Sequence, residues 1–142
     1  MVPYGIDKEK LFLQIERLKE HLKKIKEIKE KIEDKNILIP ILERNLHLSI
    51  EDCLNIGNHI ISGFGLKRPD TYKQIFKVLE DASIISKETS AKMVDLVTFR
   101  NRIVHLYWEV GEKEVFERAN DLEIFDRFIK EVIKYLKMKK QI

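Results

Sequence analysis

The apolar residues in the first part of the chain recur with the period of an α-helix, and this pattern restricts the possible folds more than any other feature. They lie three or four positions apart over about six turns: Leu11, Ile15, Leu18, Leu22, Ile25, Ile28 and Ile32. This spacing puts all of them on one side of a long helix. Lysine and glutamate alternate on the other side, so we expect an ordinary solvated surface there rather than a track for RNA.

A second helix is predicted from Pro40 onward, because proline suits the first turn of a helix. Its wide apolar face covers residues 42–61, and Gly63 and Gly65 are expected to end it. Gly57 lies in the middle of that face, where glycine costs about 1 kcal/mol relative to alanine. The missing side chain indicates close approach of another helix, which is one reason to expect a homodimer.

Capping residues mark the helices that follow. Thr71 with Gln74 has the spacing of a capping box for a short third helix, and Ser86 is expected to cap a fourth. Apolar residues at helical spacing between positions 115 and 136 predict a last helical region, in which Asn120 and Glu123 allow a restart. We therefore predict an all-α fold, a four-helix bundle of the up-and-down type with an additional short helix.

The composition supports this class and excludes several others. A chain of 142 residues has the size of one domain, so residues 1–142 are assigned to a single helical domain with flexible ends at about 1–10 and 137–142. Five glycines and three prolines are too few for an all-β sandwich or barrel. The one cysteine, Cys53, excludes a disulfide framework and suits a cytoplasmic protein. The longest apolar run, residues 37–42, is too short for a transmembrane helix, so no membrane association is expected.

Few residues have the spacing that a metal, a cofactor or a nucleophile requires. The sequence contains no glycine-rich phosphate loop, no His-Glu-x-x-His and no Glu-x-x-His, so neither a metal nor a cofactor is expected. Glu43 and His47 are four apart, but a single pair of this kind is a weak signal. We expect His21 to be solvated, His47 and His59 to make partly buried polar contacts, and Cys53 to be a core residue.

The segment from Phe99 to Tyr107 is the exception. Arg100 falls on the apolar stripe of the fourth helix, and a permanent charge that faces a core needs a partner or a pocket. Asn101 and His105 are four apart and neighbour each other on a helix. Arg100 and His105 are five apart, about 140° around an ideal helix, so they converge only near a helix end, at a bend or across a symmetric contact. The residues alone fit two interpretations equally: a helix end with an ion pair and a buried histidine, or a functional site.

The same segment resembles a known family. Arg100-Asn101-Arg102-Ile103-Val104-His105-Leu106-Tyr107 is similar to the Arg-x-x-x-x-His-x-Tyr pattern of the HEPN superfamily, in its HepT-like toxin branch. Residues 43–61 resemble the second helix of that branch. Further apolar residues follow in the family's order: Phe76, Leu79, Met93, Leu122, Phe125 and Phe128. The resemblance covers most of the chain from about Leu11 onward.

This resemblance implies a homodimeric helical bundle whose motifs meet near the dimer interface. It implies a metal-independent endoribonuclease, the toxin of a toxin–antitoxin pair, with RNA as substrate and no cofactor. The implied partner is a minimal nucleotidyltransferase antitoxin of the MNT type, which can add AMP to the motif tyrosine, here Tyr107. In such an enzyme Arg100 binds the phosphate, His105 transfers the proton, and Asn101 orients His105.

Two other functions compete with this one. The same dimeric bundle can be a non-catalytic module that binds a nucleotidyltransferase partner or a nucleotide, with Arg100 and His105 serving structure or nucleotide binding. An intact motif with its tyrosine favours the ribonuclease over this module. A bundle that binds metals through carboxylates is disfavoured because the usual ligand pairs are missing.

Overall fold

The computed structural model describes residues 5–142, and all regular secondary structure within that range is helical. Six α-helices follow one another in this described part of the chain, with a 3-10 turn at Tyr107–Glu109 between the fourth and the fifth. The helices are α1 (Lys8–Lys31), α2 (Lys35–Gly63), α3 (Tyr72–Asp81), α4 (Lys87–His105), α5 (Glu112–Ala119) and α6 (Glu123–Met138). The predicted all-α class is therefore confirmed.

Helices α1 and α2 are the longest elements and pack along each other. The apolar stripe predicted for α1 is buried, because its first five members are at most 4% exposed. Side-chain contacts join Gln14 to His59 and His21 to Asp52, so α1 and α2 run antiparallel. The periodicity of the sequence therefore identified the face of α1 that packs into the protein.

Aromatic side chains from the later helices complete the core. Phe76 of α3, Phe99 of α4 and Phe128 of α6 are all fully buried. The rings of Phe76 and Phe128 meet edge to face with centroids 5.8 Å apart, which ties α3 to α6. Helix α4 contacts α2, α3 and α6. It is thus held on three sides, and this positions the residues near its C-terminal end.

Two predicted helix caps are present. The Thr71 hydroxyl accepts a hydrogen bond from the Gln74 amide at 3.3 Å, and the Ser86 hydroxyl accepts one from the Thr89 amide at 3.1 Å. The Ser86 amide also donates to Glu131 of α6 at 2.6 Å. These bonds satisfy amides that the first turn of a helix leaves without backbone partners.

The predicted start of the second helix is wrong. Asp34 is the N-cap and accepts a hydrogen bond from the Asn36 amide at 2.9 Å, so the helix begins at Lys35. Pro40 consequently lies inside the helix, beyond its first turn, where it cannot donate to the carbonyl of Asn36. Asn36 and Pro40 are both exposed, so water can satisfy that carbonyl, and the proline is tolerated.

The close approach predicted at Gly57 is present, but it lies within one chain. A Cβ at Gly57 would stand 2.6 Å from Ile75 Cγ2 and 3.4 Å from Leu79 Cδ1, both on α3. The missing side chain therefore admits α3 onto α2. Gly57 no longer supports contact between two copies, because its face is covered by the chain's own third helix.

The last helical region is divided into α5 and α6, in agreement with the restart allowed by Asn120 and Glu123. The fold thus has two short helices, α3 and α5, where one was expected. Helix α1 includes positions 8–10 and α6 continues to Met138, while residues 1–4 of the predicted flexible ends lie outside the described range. Within residues 5–142, no helix combines the length and the apolar character needed to cross a membrane.

We predict that Gly57→Ala lowers the free energy of unfolding by about 1–2 kcal/mol. Overpacking costs about 1–3 kcal/mol, and the better helix propensity of alanine returns about 0.5–1 kcal/mol. The clash is with a methyl on the β-branched carbon of Ile75, which has little freedom to move. Urea unfolding measures the change, with Gly5→Ala as the control, since a Cβ there would meet nothing within 4 Å. Equal stability of the two variants would contradict the packing described.

Candidate active site

Arg100 lies near the C-terminal end of α4 and faces α2. Its side chain is only 13% exposed, and its Nε donates a hydrogen bond to Glu51 Oε1 at 2.6 Å. A charge so far withdrawn from water requires a counter-charge. Glu51 of the neighbouring helix α2 supplies this counter-charge, so the partner predicted for Arg100 from the sequence is present.

Three further side chains, those of His47, Asn101 and Tyr72, surround Arg100 and Glu51. We call these five residues the Arg100 cluster. His47 Nε2 lies 3.3 Å from the same Glu51 oxygen that Arg100 binds. Asn101 Oδ1 accepts a hydrogen bond from Arg100 Nη1 at 3.0 Å. The Arg100 guanidinium also stands over the Tyr72 ring, 4.8 Å from its centroid. Side chains from α2, α3 and α4 therefore fix the guanidinium in one place.

The hydrogen bonds of the cluster leave part of the guanidinium free. A guanidinium carries five N–H donors, and within the described residues Arg100 uses one on Glu51 and one on Asn101. The remaining donors are available to an anion that reaches the exposed edge of the side chain. A guanidinium held in one orientation can bind phosphate bidentately, with two N–H groups donating to two phosphate oxygens.

His105 is the last residue of α4 and is exposed. In the described part of the chain its ring makes no hydrogen bond or ion pair. The buried histidine expected if this segment were only a helix end with an ion pair is therefore not observed. The 3-10 turn that follows carries Tyr107 and Trp108, 69% and 68% exposed, with their ring centroids 5.5 Å apart. Arg102 anchors this turn by donating to the Glu109 carbonyl at 3.1 Å and to Glu114 of α5 at 2.8 Å. The histidine and the tyrosine are therefore open to solvent on an anchored segment.

The structure brings some of the predicted site residues together and leaves others apart. Arg100 and Asn101 are directly bonded, whereas His105 and Tyr107 lie further along at the exposed end of α4. Asn101 uses its carbonyl oxygen on Arg100, not on His105. His47 makes the partly buried polar contact expected of it, whereas the sequence predicted no role for Glu51 or Tyr72. The spacing of four between His47 and Glu51 was the available signal, and it equals the spacing between Glu43 and His47.

The remaining histidines and the cysteine serve the fold. His21 is not solvated, because its Nδ1 lies 2.5 Å from the buried carboxylate of Asp52, and burial raises the pKa of that carboxyl. His59 accepts a hydrogen bond from the Asp7 amide and contacts Gln14, and burial lowers its pKa. Cys53 is fully buried, which raises the pKa of its thiol well above the usual range and keeps it protonated. No group of three potential metal ligands occurs among residues 5–142.

Comparisons with known proteins identify the family and the fold of this chain. A family model described as "Ribonuclease HepT-like" matches residues 13–132. The mRNA nuclease HepT of Shewanella oneidensis is 33% identical over 91 residues, which are 63% of this chain and 68% of that protein.

Two solved structures share the fold. The cytosolic protein YutE of Bacillus subtilis superposes with a TM-score of 0.84 at 23% identity, over 99% of this chain and 97% of that one. A tri-AMPylated HEPN toxin of Shewanella oneidensis, in complex with an MNT antitoxin, superposes with a TM-score of 0.78 at 27% identity, over 88% of this chain and 96% of that one.

We predict that Glu51→Gln lowers the free energy of unfolding by about 1–3 kcal/mol, because a partly buried guanidinium loses its counter-charge while the shape of the side chain is kept. Glu117→Gln is the matched control: its pair with Lys113 is exposed, at 65% and 91%, and such pairs contribute at most about 1 kcal/mol. Urea unfolding of both variants measures the difference. Equal destabilisation of the two variants would mean that Glu51 does not hold Arg100 as described.

Proposed function

This chain belongs to the HepT-like ribonuclease family, and we propose that it is a metal-independent endoribonuclease, the toxin of a toxin–antitoxin pair. The observation that carries the proposal is the Arg100 cluster, which holds a guanidinium with free donors. The exposed His105 lies on the following turn of the same helix. A cytoplasmic location agrees with the single reduced cysteine.

The proposed chemistry is an attack by the 2′-hydroxyl of RNA on the adjacent phosphorus. The bond to the 5′-oxygen of the next nucleotide breaks, which gives a cyclic phosphate and a free 5′-hydroxyl. His105 transfers the proton, because imidazole titrates near neutral pH. Arg100 binds the non-bridging phosphate oxygens and stabilises the charge that develops on them. The 2′-hydroxyl is thus the nucleophile, His105 carries the proton and Arg100 is the cation. Because these groups supply all three roles, we propose that no metal takes part.

A second copy of the chain completes the proposed site. Arg100 is recessed between helices, while His105 is exposed and about 140° away around an ideal helix. The end of α4 also exposes apolar side chains, Val104 at 40% and Leu106 at 37%, beside Tyr107 and Trp108. Contact between two such ends buries these groups and sets two motifs beside each other. The proposed dimer therefore rests on these residues and no longer on Gly57.

The proposed control acts through Tyr107 and an MNT-type nucleotidyltransferase antitoxin. The Tyr107 phenol attacks the α-phosphorus of ATP, pyrophosphate leaves, and the phenol loses its proton. Among the described tyrosines Tyr107 is the most exposed, at 69%, against 46% for Tyr72 and a partly buried Tyr135. The added phosphate can occupy Arg100 or its counterpart in the second copy, so the block on RNA is both steric and electrostatic.

We predict a dimer at micromolar concentration, measured by sedimentation. The double variant Leu106→Glu/Trp108→Glu should be a monomer, because charges at the end of α4 cannot be buried in a shared interface. Leu13→Glu changes an apolar residue of α1 that is 67% exposed, about as much as Trp108, and should leave the dimer intact. A wild-type monomer would overturn the proposed assembly, and dissociation by Leu13→Glu would move the interface to α1.

We predict that Arg100→Ala and His105→Ala each lower the rate of RNA cleavage by about 10²-fold or more, because each removes a group that acts in the transition state. Helical content should stay the same, and wild-type activity should persist in EDTA. Arg127→Ala is the control, since Arg127 forms an exposed pair with Glu88 away from the cluster. Full activity of His105→Ala would favour the non-catalytic module that binds a nucleotidyltransferase or a nucleotide.

We predict that co-expression with the nucleotidyltransferase adds AMP to Tyr107, read by intact mass and peptide mapping. Tyr107→Phe should keep its ribonuclease activity and escape neutralisation, because only the phenol oxygen is removed. Tyr72→Phe is the control and should still be modified. AMP mapped to another residue, or neutralisation of Tyr107→Phe equal to that of the wild type, would refute this mechanism.

A further inference from the structure

A cleft lies directly beside the Arg100 cluster. It has a volume of about 690 Å³, and its lining includes Asn58 of α2, Arg68 and Asp70 of the α2–α3 connector, Tyr72 and Lys73 of α3, and Asn101 of α4. Tyr72 and Asn101 also contact the Arg100 guanidinium. The cleft is therefore continuous with the proposed catalytic arginine, and its volume is in the range of small-ligand sites.

The charge of the cleft favours an anion. Arg68 and Lys73 are exposed, and within the described residues neither side chain forms an ion pair or a hydrogen bond. Asp70 is the single acidic residue of the lining, so the cleft has a net positive charge. Basic side chains that are not already paired are the groups that neutralise phosphates and release their counterions.

The uncharged part of the lining suits a nucleobase. Arg100 stands over the Tyr72 ring, yet Tyr72 remains 46% exposed and lines the cleft. Aromatic rings stack on bases of any sequence. The amides of Asn58 and Asn101 offer both donors and acceptors for the edge of a base. A base, a sugar and a phosphate are thus each matched by a group in this cleft.

We propose that this cleft is a nucleotide subsite, which binds one nucleotide of single-stranded RNA next to the phosphate held by Arg100. The base stacks on Tyr72, and Arg68 with Lys73 binds the flanking phosphate. A base in a duplex is stacked on its neighbours and cannot lie on Tyr72, so the subsite selects unpaired RNA. This inference rests on the proposed ribonuclease function and names the part of the chain that positions its substrate.

The stacking contact is tested with abasic RNA. A single-stranded RNA that the wild-type protein cleaves at one position is synthesised as a set, each member lacking one base. Its affinity is measured by fluorescence anisotropy with the His105→Ala protein, so that the RNA stays intact. We expect one position near the cleavage site at which removal of the base weakens binding about 5- to 150-fold. Adding Tyr72→Leu should abolish that dependence and Tyr72→Phe should retain it, because only leucine removes the aromatic face.

The binding of the flanking phosphate is tested by the salt dependence of affinity in the same His105→Ala protein. Arg68→Ala/Lys73→Ala should reduce the slope of log affinity against log salt by about 0.7 for each phosphate that the protein no longer neutralises. The control Lys130→Ala/Lys137→Ala removes two exposed charges from α6, outside the cleft, and should leave the slope unchanged. Double-stranded RNA of the same sequence should bind more weakly to the wild-type cleft and should show no dependence on Tyr72.

The outcomes separate the subsite from the function on which it rests. If the wild-type protein neither cleaves nor binds RNA, the proposed function is wrong and the subsite with it. If the wild-type protein cleaves RNA but no abasic position couples to Tyr72, the stacking subsite is refuted while the ribonuclease stands. If both pairs of substitutions of basic residues change the salt slope equally, the charge of the cleft has no special part in binding, and phosphate binding by Arg68 and Lys73 is refuted.

Discussion

Arg100 faces the contact between α2 and α4, where only 13% of its side chain reaches water. Withdrawing a guanidinium from solvent is unfavourable unless a counter-charge and hydrogen bonds compensate for the missing hydration. Glu51, Asn101 and the Tyr72 ring provide that compensation from three different helices. The position of the proposed catalytic cation is therefore a consequence of how α2, α3 and α4 pack, and it does not depend on a mobile loop.

The two halves of the motif have opposite environments. Arg100 is recessed and fully partnered on one side, whereas His105, Tyr107 and Trp108 are exposed at the end of the same helix. A rigid cation and an accessible proton carrier suit a reaction whose substrate is large and must approach from outside. In the proposed mechanism, the exposure that would admit RNA also makes the Tyr107 hydroxyl accessible to a modifying enzyme, so the proposed activity and its proposed control share one surface.

Local signals in the sequence predicted much of the fold. The spacing from Leu11 to Ile25 identified the buried face of α1, and Thr71 and Ser86 cap the helices expected of them.

The predictions that were wrong are those in which a second interaction outweighed the local sequence signal. Asp34 proved a stronger start signal than Pro40, because its carboxylate accepts an amide hydrogen bond that proline merely omits. The charged sequence neighbours of His21 predict a solvated side chain, yet Asp52 pairs with it across the contact between α1 and α2.

The sequence by itself determined the helical class, the caps at Thr71 and Ser86, and the order of Arg100, Asn101, His105 and Tyr107, because each depends on residues that are close together along the chain. It left open which acid partners which base. Glu43 and Glu51 are both four residues from His47, and nothing in that spacing distinguishes them. Only the packing of α4 against α2 places Arg100 within 2.6 Å of Glu51, and only the docking of α3 at Gly57 sets Tyr72 under the guanidinium. Such choices depend on contacts between residues distant in sequence, which periodicity does not encode.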